Sequence, residues 1–177
     1  AIPSPFYRSA EVRDRYNGLT LKMRGDWSVE FRAYDDGVAY RFVSRAEKPF
    51  NIVSEQAEYR FPADCAVTVP YVRDHAGNID ACLKILTAKF KLGLFENPYT
   101  ETTLSKLDAG RLIFLPLVVD AGDGVKVCIT ETDLNDYPGM YLWNGDGGQH
   151  LTARFAPYPK RTEQGGYNNL QMVVKER

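Results

Sequence analysis

The stretch that decides the fold class of this chain is Trp27-Ser28-Val29-Glu30-Phe31-Arg32-Ala33-Tyr34-Asp35-Asp36-Gly37-Val38-Ala39-Tyr40-Arg41-Phe42-Val43. Apolar and polar residues alternate on both sides of its Asp-Asp-Gly centre, which is the period of a half-buried β-strand. The Asp-Gly pair indicates a hairpin turn in which Gly37 can take a positive φ. We therefore predict two antiparallel strands, 27–34 and 38–43, and a loss of stability through backbone strain when the turn is substituted.

The same alternation continues along the rest of the chain. Asp123-Gly124 joins an apolar run at 112–120 to a second one at 125–129, as in the first hairpin. Shorter runs of the same kind predict strands at 19–23, 57–61, 66–71, 140–143, 151–155 and 170–174. Connections with Pro or Gly are predicted as loops at 48–51, 74–79, 143–150 and 156–166, and 104–108 as a helical turn. Many short strands predict an all-β fold, an antiparallel β-sandwich that occupies 1–177 as a single domain.

The composition of the whole chain narrows the class of protein. With 177 residues the chain can bury one substantial core. A net charge of −1, with 25% charged residues, favours neither a nucleic-acid partner nor an anionic membrane surface. No apolar run approaches the ~18 residues that a membrane-spanning helix needs. The opening Ala1-Ile2-Pro3-Ser4-Pro5 does not have the basic and apolar regions of a signal peptide. A chain from which a signal peptide has been cleaved would look the same.

The cysteines and the common sequence motifs argue against several chemistries. Cys65, Cys82 and Cys128 are far apart and form no Cys-x-x-Cys pair, so a structural zinc site is not expected. Cys128 falls in an apolar strand pattern, where we expect a small buried side chain rather than a nucleophile. The sequence also lacks the phosphate-binding, dinucleotide-binding, zinc-protease and serine-hydrolase motifs.

An acidic loop follows the strand predicted at 125–129 and ends before the run at 140–143. It reads Thr130-Glu131-Thr132-Asp133-Leu134-Asn135-Asp136-Tyr137-Pro138-Gly139. Its carboxylates, Glu131, Asp133 and Asp136, stand at i, i+2 and i+5 and could offer hard oxygens to calcium. Acidic residues also simply solvate connections between strands. The spacing alone leaves both interpretations open.

Two later stretches could face a ligand or a partner. Phe155-Ala156-Pro157-Tyr158-Pro159-Lys160-Arg161 is an aromatic and basic patch that could stack on a sugar, or form a Pro-stiffened strand edge. A polar, Gly-rich turn at 163–169 follows it. A free-standing carbohydrate-binding module would use Tyr158, Tyr167 or Trp143 as stacking platforms, whereas an interaction module would dock a partner through 155–167.

Five ordered blocks of the sequence resemble one known domain. They are 31–42, 95–100, 112–117, 125–139 and 155–166, and together they extend over most of the chain. In this order they resemble the N-terminal domain of glycoside hydrolase family 97. The resemblance implies a β-sandwich of the super-sandwich type that precedes a (β/α)₈ catalytic barrel and a small C-terminal β domain. Because the match begins inside the domain, the first strands of the sandwich are expected to be absent.

The resemblance also implies an activity for the parent protein. Members of the family are exo-acting α-glycosidases, typically α-glucosidases or α-galactosidases, either retaining or inverting, and they require calcium. The implied substrate is an α-linked oligosaccharide, the implied partner is the barrel of the same parent chain, and the implied location is periplasmic or secreted. The catalytic carboxylates of the family belong to the barrel. This chain is therefore expected to hold no catalytic residue, to lack hydrolase activity alone, and to bind calcium weakly or not at all.

One residue of the chain takes a specific role from the resemblance. The N-terminal domain of these enzymes sends a glutamate to the active-site calcium, and the matching position in Ile129-Thr130-Glu131 is Glu131. The residues expected to support the loop that carries it are Thr130, Asp133, Asp136, Tyr137 and Gly139. Sugar or interdomain contacts are expected at Tyr158, Tyr167 and Asn168.

Overall fold

The computed structural model describes residues 2–3, 11–72, 90–91, 98–134, 137–155, 159–164 and 170–174. The described elements are antiparallel strands and one short 3-10 turn, which confirms the all-β antiparallel prediction. The chain divides into two compact units, Ala1–Val53 and Ser54–Arg177. One domain over 1–177 stays a prediction. Among the described residues there is no helix long and apolar enough to cross a membrane.

The first unit is built around the predicted hairpin. Its strands are β1 (Ile2–Pro3), β2 (Glu11–Val12), β3 (Asn17–Lys22), β4 (Trp27–Ala33) and β5 (Val38–Ser44). Strand β1 pairs with β2, and the other three form a sheet in the order β3-β4-β5. The register places Leu19 opposite Phe31 and Phe31 opposite Tyr40. Because side chains alternate between the two faces of a strand, the alternation in sequence gives this sheet one apolar face.

The turn of this hairpin differs from the prediction. The amide of Tyr34 donates to the carbonyl of Gly37 at 2.8 Å, within a connection that spans 34–37. The φ of Gly37 lies outside the left-handed region, and a Cβ built on Gly37 would meet no atom within 4 Å. The expectation of strain at Gly37 is therefore wrong, because a connection longer than two residues reverses the chain without a left-handed glycine.

The described residues of the second unit form three further sheets. Its elements are β6 (Glu58–Arg60), β7 (Ala66–Pro70), β8 (Phe90–Lys91), β9 (Tyr99–Thr103), the 3-10 turn (Leu104–Lys106), β10 (Leu117–Gly122), β11 (Val125–Ile129), β12 (Met140–Trp143), β13 (His150–Phe155), β14 (Pro159–Gln164) and β15 (Leu170–Val174). The sheets have the orders β11-β10-β7-β9, β12-β13-β6 and β14-β15-β8. The turn between β10 and β11 is as predicted, with Asp123 at φ 51° and Gly124 at φ 77°. Two left-handed residues are what an Asp-Gly hairpin turn requires.

The core of the second unit contains residues of its first two sheets. Val67 and Val119 belong to the sheet β11-β10-β7-β9, whereas Leu142 and Leu151 belong to the sheet β12-β13-β6. All four side chains are buried in one cluster. Leu104, which begins the 3-10 turn, is fully buried in the same cluster. Burying a side chain of this kind stabilises the fold by about 1.5–3 kcal/mol. Two sheets that share one apolar core form a β-sandwich, as predicted.

A short segment at 112–114 connects these two sheets through the backbone. The amide of Ile113 donates to the carbonyl of Leu142 at 2.9 Å, and the amide of Leu142 donates back to Ile113 at 2.8 Å. The amide of Phe114 donates to the carbonyl of Pro70, the last residue of β7, at 3.0 Å. The segment is therefore bonded to both sheets, and it fixes their distance at this edge of the sandwich.

Two predicted boundaries are wrong, and a proline explains each of them. The strand predicted at 112–120 begins only at Leu117, because Pro116 has no amide with which to continue a ladder. The loop predicted at 156–166 contains strand β14, which pairs with β15 at the edge of its sheet. Pro159 is the first residue of that strand, a position where a missing amide is tolerated.

Two further differences between the predictions and the structure concern a polar strand and an exposed cysteine. Strand β9 was not predicted, because its Tyr-Thr-Glu-Thr-Thr sequence lacks apolar alternation, although β-branched threonines favour strands. Cys128 is exposed, so the prediction of a buried side chain is wrong. Strand β11 is an edge strand on which Val125 and Val127 are also exposed, and of this strand only Ile129 is buried in the core.

Truncation of a core leucine tests the packing of the two sheets. We expect Leu142→Ala to lower the free energy of unfolding by about 2–5 kcal/mol, because it removes buried methyl groups and leaves a cavity. The matched control is Leu134→Ala, whose side chain is 47% exposed, and it should change stability by no more than about 0.5 kcal/mol. Urea unfolding of the chain gives both values. Equal losses would contradict the burial of Leu142.

Alanine substitutions at two turn glycines, compared with each other, separate the effect of turn strain from the other effects of adding a methyl group. Gly124→Ala should lower the free energy of unfolding by about 1–2 kcal/mol, because an alanine is strained in the left-handed region. Gly37→Ala, in a turn without positive φ at that residue, should be neutral or stabilise by up to about 1 kcal/mol. Thermal and urea unfolding of both variants measure the difference, and the reverse ranking would show that the two turns are wrongly described.

Candidate functional site

The acidic loop, residues 130–139, connects the two sheets that share the core. It begins after Ile129, the last residue of β11 in the sheet β11-β10-β7-β9. It ends before Met140, the first residue of β12 in the sheet β12-β13-β6. Glu131 is the second residue of this loop and is half-buried. Rigid strands on both sides of a loop restrict where its side chains can point, which is why such loops often carry binding residues.

The carboxylate of Glu131 is held by the far end of its own loop. The backbone amide of Met140 donates to both Oε1 and Oε2 at 3.0 Å each. A single amide uses one lone pair of each oxygen, so the carboxylate keeps further acceptor capacity. A Cβ built on Gly139 would lie 3.4 Å from Oε1. That distance is an ordinary van der Waals contact, so Gly139 borders the carboxylate, and its role in supporting the loop stays a prediction.

A cleft of about 200 Å³ opens beside this carboxylate. Its lining residues are mostly apolar or aromatic, and they are Phe114, Leu115, Thr130, Glu131, Gly139, Met140 and Tyr141. Glu131 is the charged residue among them, and as a half-buried residue it lies at the surface of the sandwich rather than in its closed core. Ligand sites typically combine a concave surface with a few placed polar groups, and this small cleft has one charged group in its lining.

Burial and a second carboxylate make the charge on Glu131 costly. Partial desolvation is the largest cause and raises the pKa of Glu131, and the negative charge of Glu55 raises it further. The hydrogen bond from the Met140 amide acts in the opposite direction and lowers the pKa. Burial also raises the pKa of Tyr141, and the charge of Glu131 adds to that shift. A positive charge placed in the cleft would offset each of these costs.

Tyr137 links the acidic loop to Glu55. Its hydroxyl donates a hydrogen bond to the Glu55 carboxylate, and its ring meets Phe155 edge-on, with 6.2 Å between the ring centroids. Burial, together with the hydrogen bond and the charge of Glu55, raises the pKa of Tyr137 to about 12. The phenol therefore keeps its proton at neutral pH and acts as the donor. The sequence pattern marks Tyr137 but not Glu55, because the two residues stand 82 positions apart.

The other predicted loop residues have less defined positions. Thr130 lines the cleft, and its hydroxyl is 3.4 Å from the carbonyl of Glu131. Asp133 is exposed, with a left-handed φ of 56° that Asp tolerates better than most residues. Its role in supporting the loop stays a prediction. Asp136 lies outside the described residues, and so do Tyr158, Tyr167 and Asn168, for which sugar or interdomain contacts were predicted.

Trp143 does not offer a free ring face for a sugar. The guanidinium carbon of Arg154 lies 4.6 Å from the centre of its ring. The backbone of Gly145 packs so tightly against the ring that a Cβ built there would lie 2.0 Å from it. The indole nitrogen donates to the carbonyl of Ala109 at 2.8 Å. These contacts make Trp143 part of the local packing, and they argue against its use as a stacking platform.

The chemistry of the site fits calcium as one part of a larger ligand set. Calcium takes about 6–8 oxygen ligands, and carboxylates are the strongest of them. Glu131 offers carboxylate oxygens at an open cleft with a second carboxylate nearby. In the described part of the chain, no three His, Cys, Asp or Glu side chains form a group that could hold a metal ion. A calcium ion at Glu131 would therefore need further ligands in addition to these residues.

The raised pKa of Glu131 predicts an unusual pH dependence of stability without calcium. Above the ordinary value of 4.5 the folded state still binds the proton that the unfolded state has lost. Stability is then present below that pH and falls as pH rises through the raised pKa. Glu131→Gln should remove this fall, so its melting temperature should decline less over this window. Melting curves with a chelator measure it, and parallel curves for both proteins would contradict the assignment.

Comparison with known proteins places the chain in a family. The family model described as glycosyl-hydrolase 97 N-terminal matches residues 2–174. A retaining alpha-galactosidase of Bacteroides thetaiotaomicron is 57% identical over 175 residues, which cover 99% of this chain and 25% of that protein. The chain thus spans about a quarter of the length of this relative. The resemblance seen in the sequence is confirmed: this chain belongs to the N-terminal domain family of the glycoside hydrolases of family 97.

Proposed function

We propose that this chain is the N-terminal β-sandwich domain of a calcium-dependent, exo-acting α-glycosidase, and that Glu131 is one ligand of the active-site calcium. The remaining ligands would come from a catalytic (β/α)₈ barrel in the same parent chain. The observation that carries the proposal is the carboxylate of Glu131, held at an open cleft by the Met140 amide. A cation at this position would remove the electrostatic cost that burial and Glu55 impose on it.

The relative supports a narrower choice of activity. It is named a retaining alpha-galactosidase, and its identity of 57% to this chain extends over 99% of the chain. We therefore infer that an α-linked galactoside is the first substrate to test, with an α-glucoside as the alternative within the same reaction class. Retention would require the two catalytic carboxyl groups of the barrel to lie about 5–5.5 Å apart, whereas inversion would need about 6.5–9.5 Å.

The residues of this chain would contribute charge and geometry rather than a proton. Bound calcium would supply positive charge that orients sugar hydroxyls and stabilises the neighbouring carboxylates. Glu131 would hold its share of that charge in place, with its direction set by the hydrogen bonds from the Met140 amide. General acid and nucleophile would both be barrel carboxylates, so the isolated chain would have no hydrolase activity. Location in the periplasm or outside the cell remains a proposal from the family.

Substitution of Glu131 in the full-length protein tests this function. Glu131→Gln keeps the size of the side chain but removes its charge, so calcium affinity should fall about 10-fold or more and turnover of an α-galactoside should fall with it. Titration with calcium chloride and steady-state hydrolysis of an aryl α-galactoside measure the two effects. The matched control is Asp36→Asn, which removes one charge from an exposed turn and should change neither. Unchanged calcium dependence in Glu131→Gln would refute the assignment.

A further inference from the structure

We propose that Glu55 and Tyr137 act as a positioning pair, whose hydrogen bond fixes the acidic loop and so sets the direction of the Glu131 carboxylate. The inference rests on the proposed role of Glu131, and it adds Glu55 as the partner through which Tyr137, already expected to support the loop, would act. Glu55 stands before β6, far from the loop in sequence, and no local pattern marks it as part of this site. Its contact with Tyr137 is the observation that carries the proposal.

The loop needs support beyond its own ends. The bond between Glu131 and Met140 joins two residues nine positions apart, at the start of the loop and just after it. That bond closes the loop. Tyr137 stands shortly before Met140 in the sequence, and its hydroxyl donates to Glu55 across 82 positions of sequence. The hydrogen bond therefore ties the loop to a different part of the fold.

Glu55 is attached to a well-anchored segment. Two residues after it, the carbonyl of Ala57 accepts a hydrogen bond from the amide of Ala153 at 2.8 Å, which fixes the segment to β13. Ala57 also packs against the main core, as does Phe155. The Tyr137 ring meets Phe155 edge-on, at an interplanar angle of 81°. The ring is thus held by an apolar contact and its hydroxyl by a carboxylate acceptor.

A hydrogen bond to an ionised acceptor is stronger and more directional than one between neutral groups. Its loss would let the loop adopt several positions, and the calcium site would then have to order it on binding. Residues that orient a metal ligand through such contacts typically change metal affinity by about 10–100-fold when they are mutated. A role of that size is expected for both members of the pair.

The test compares calcium affinities of the full-length protein after its calcium is removed with a chelator. Tyr137→Phe deletes only the hydroxyl and should weaken calcium binding about 10-fold to 100-fold, measured by calorimetric titration with calcium chloride. Glu55→Ala should cause a similar loss, and the double variant should lose no more than either single one. Glu55→Gln, which keeps an acceptor oxygen, should recover part of the affinity. The control is Tyr99→Phe, which removes a hydroxyl from a residue that is 52% exposed.

A second measurement does not depend on calcium. The Met140 amide is bonded to the Glu131 carboxylate, so its hydrogen exchange in the calcium-free protein reports whether that carboxylate is in place. Exchange at Met140 should be faster in Tyr137→Phe and Glu55→Ala than in Tyr99→Phe, while the melting temperatures stay similar. Unchanged exchange together with unchanged calcium affinity would overturn the proposal.

The remaining outcomes separate this inference from the proposed function. If Glu131→Gln abolishes calcium binding but Tyr137→Phe and Glu55→Ala do not affect it, the positioning pair is wrong and the proposed function stands. If Glu55→Ala and Glu55→Gln both lose far more affinity than Tyr137→Phe, Glu55 is itself a ligand, which also overturns the positioning role. If Glu131→Gln leaves calcium binding intact, the proposed function fails.

Discussion

The reciprocal backbone bonds between Ile113 and Leu142 are the constraint on which the site depends. They join the 112–114 segment to the sheet β12-β13-β6, while a hydrogen bond from the amide of Phe114 joins the same segment to the end of β7. A sandwich held only by its core could let its sheets slide, because apolar contacts have little directionality. Paired amides and carbonyls have a required geometry, so they fix the sheets against each other at this edge. The cleft lies at this edge, lined in part by Phe114 and by the acidic loop.

The acidic loop combines a fixed geometry with an unfavourable charge. Glu131 is bonded at both oxygens by one amide, yet burial and the charge of Glu55 disfavour its ionised form. In a protein without further ligands this arrangement only costs stability. Shifted pKa values of this kind concentrate at functional sites, because a bound cation or substrate recovers the cost. In the proposed function, bound calcium would recover this cost.

The division of work in such an enzyme follows from where its groups lie. A β-sandwich gives a rigid support from which a single loop can present one carboxylate, and a catalytic barrel can add the acid, the nucleophile and further ligands. In this arrangement the sandwich would affect the reaction through the position of the two carboxylate oxygens of Glu131. Small changes in that position matter, which gives residues such as Tyr137 and Glu55 an effect larger than their distance from the chemistry suggests.

The sequence by itself determined the all-β class and most of the strands, whereas Glu131 was singled out only by the resemblance to a known family. The features that the sequence determined are local patterns, which can be read from residues that are neighbours in the sequence. Examples are the alternation in β4 and β5, the Asp123-Gly124 turn and the acidic residues after β11. The tertiary structure decided what depends on residues distant in sequence. It showed the exposure of Cys128 on an edge strand, the 112–114 bridge between two sheets, and the contact of Tyr137 with Glu55. A linear pattern records which residues follow one another, whereas the position of a strand in its sheet and the partner of a side chain are set by packing.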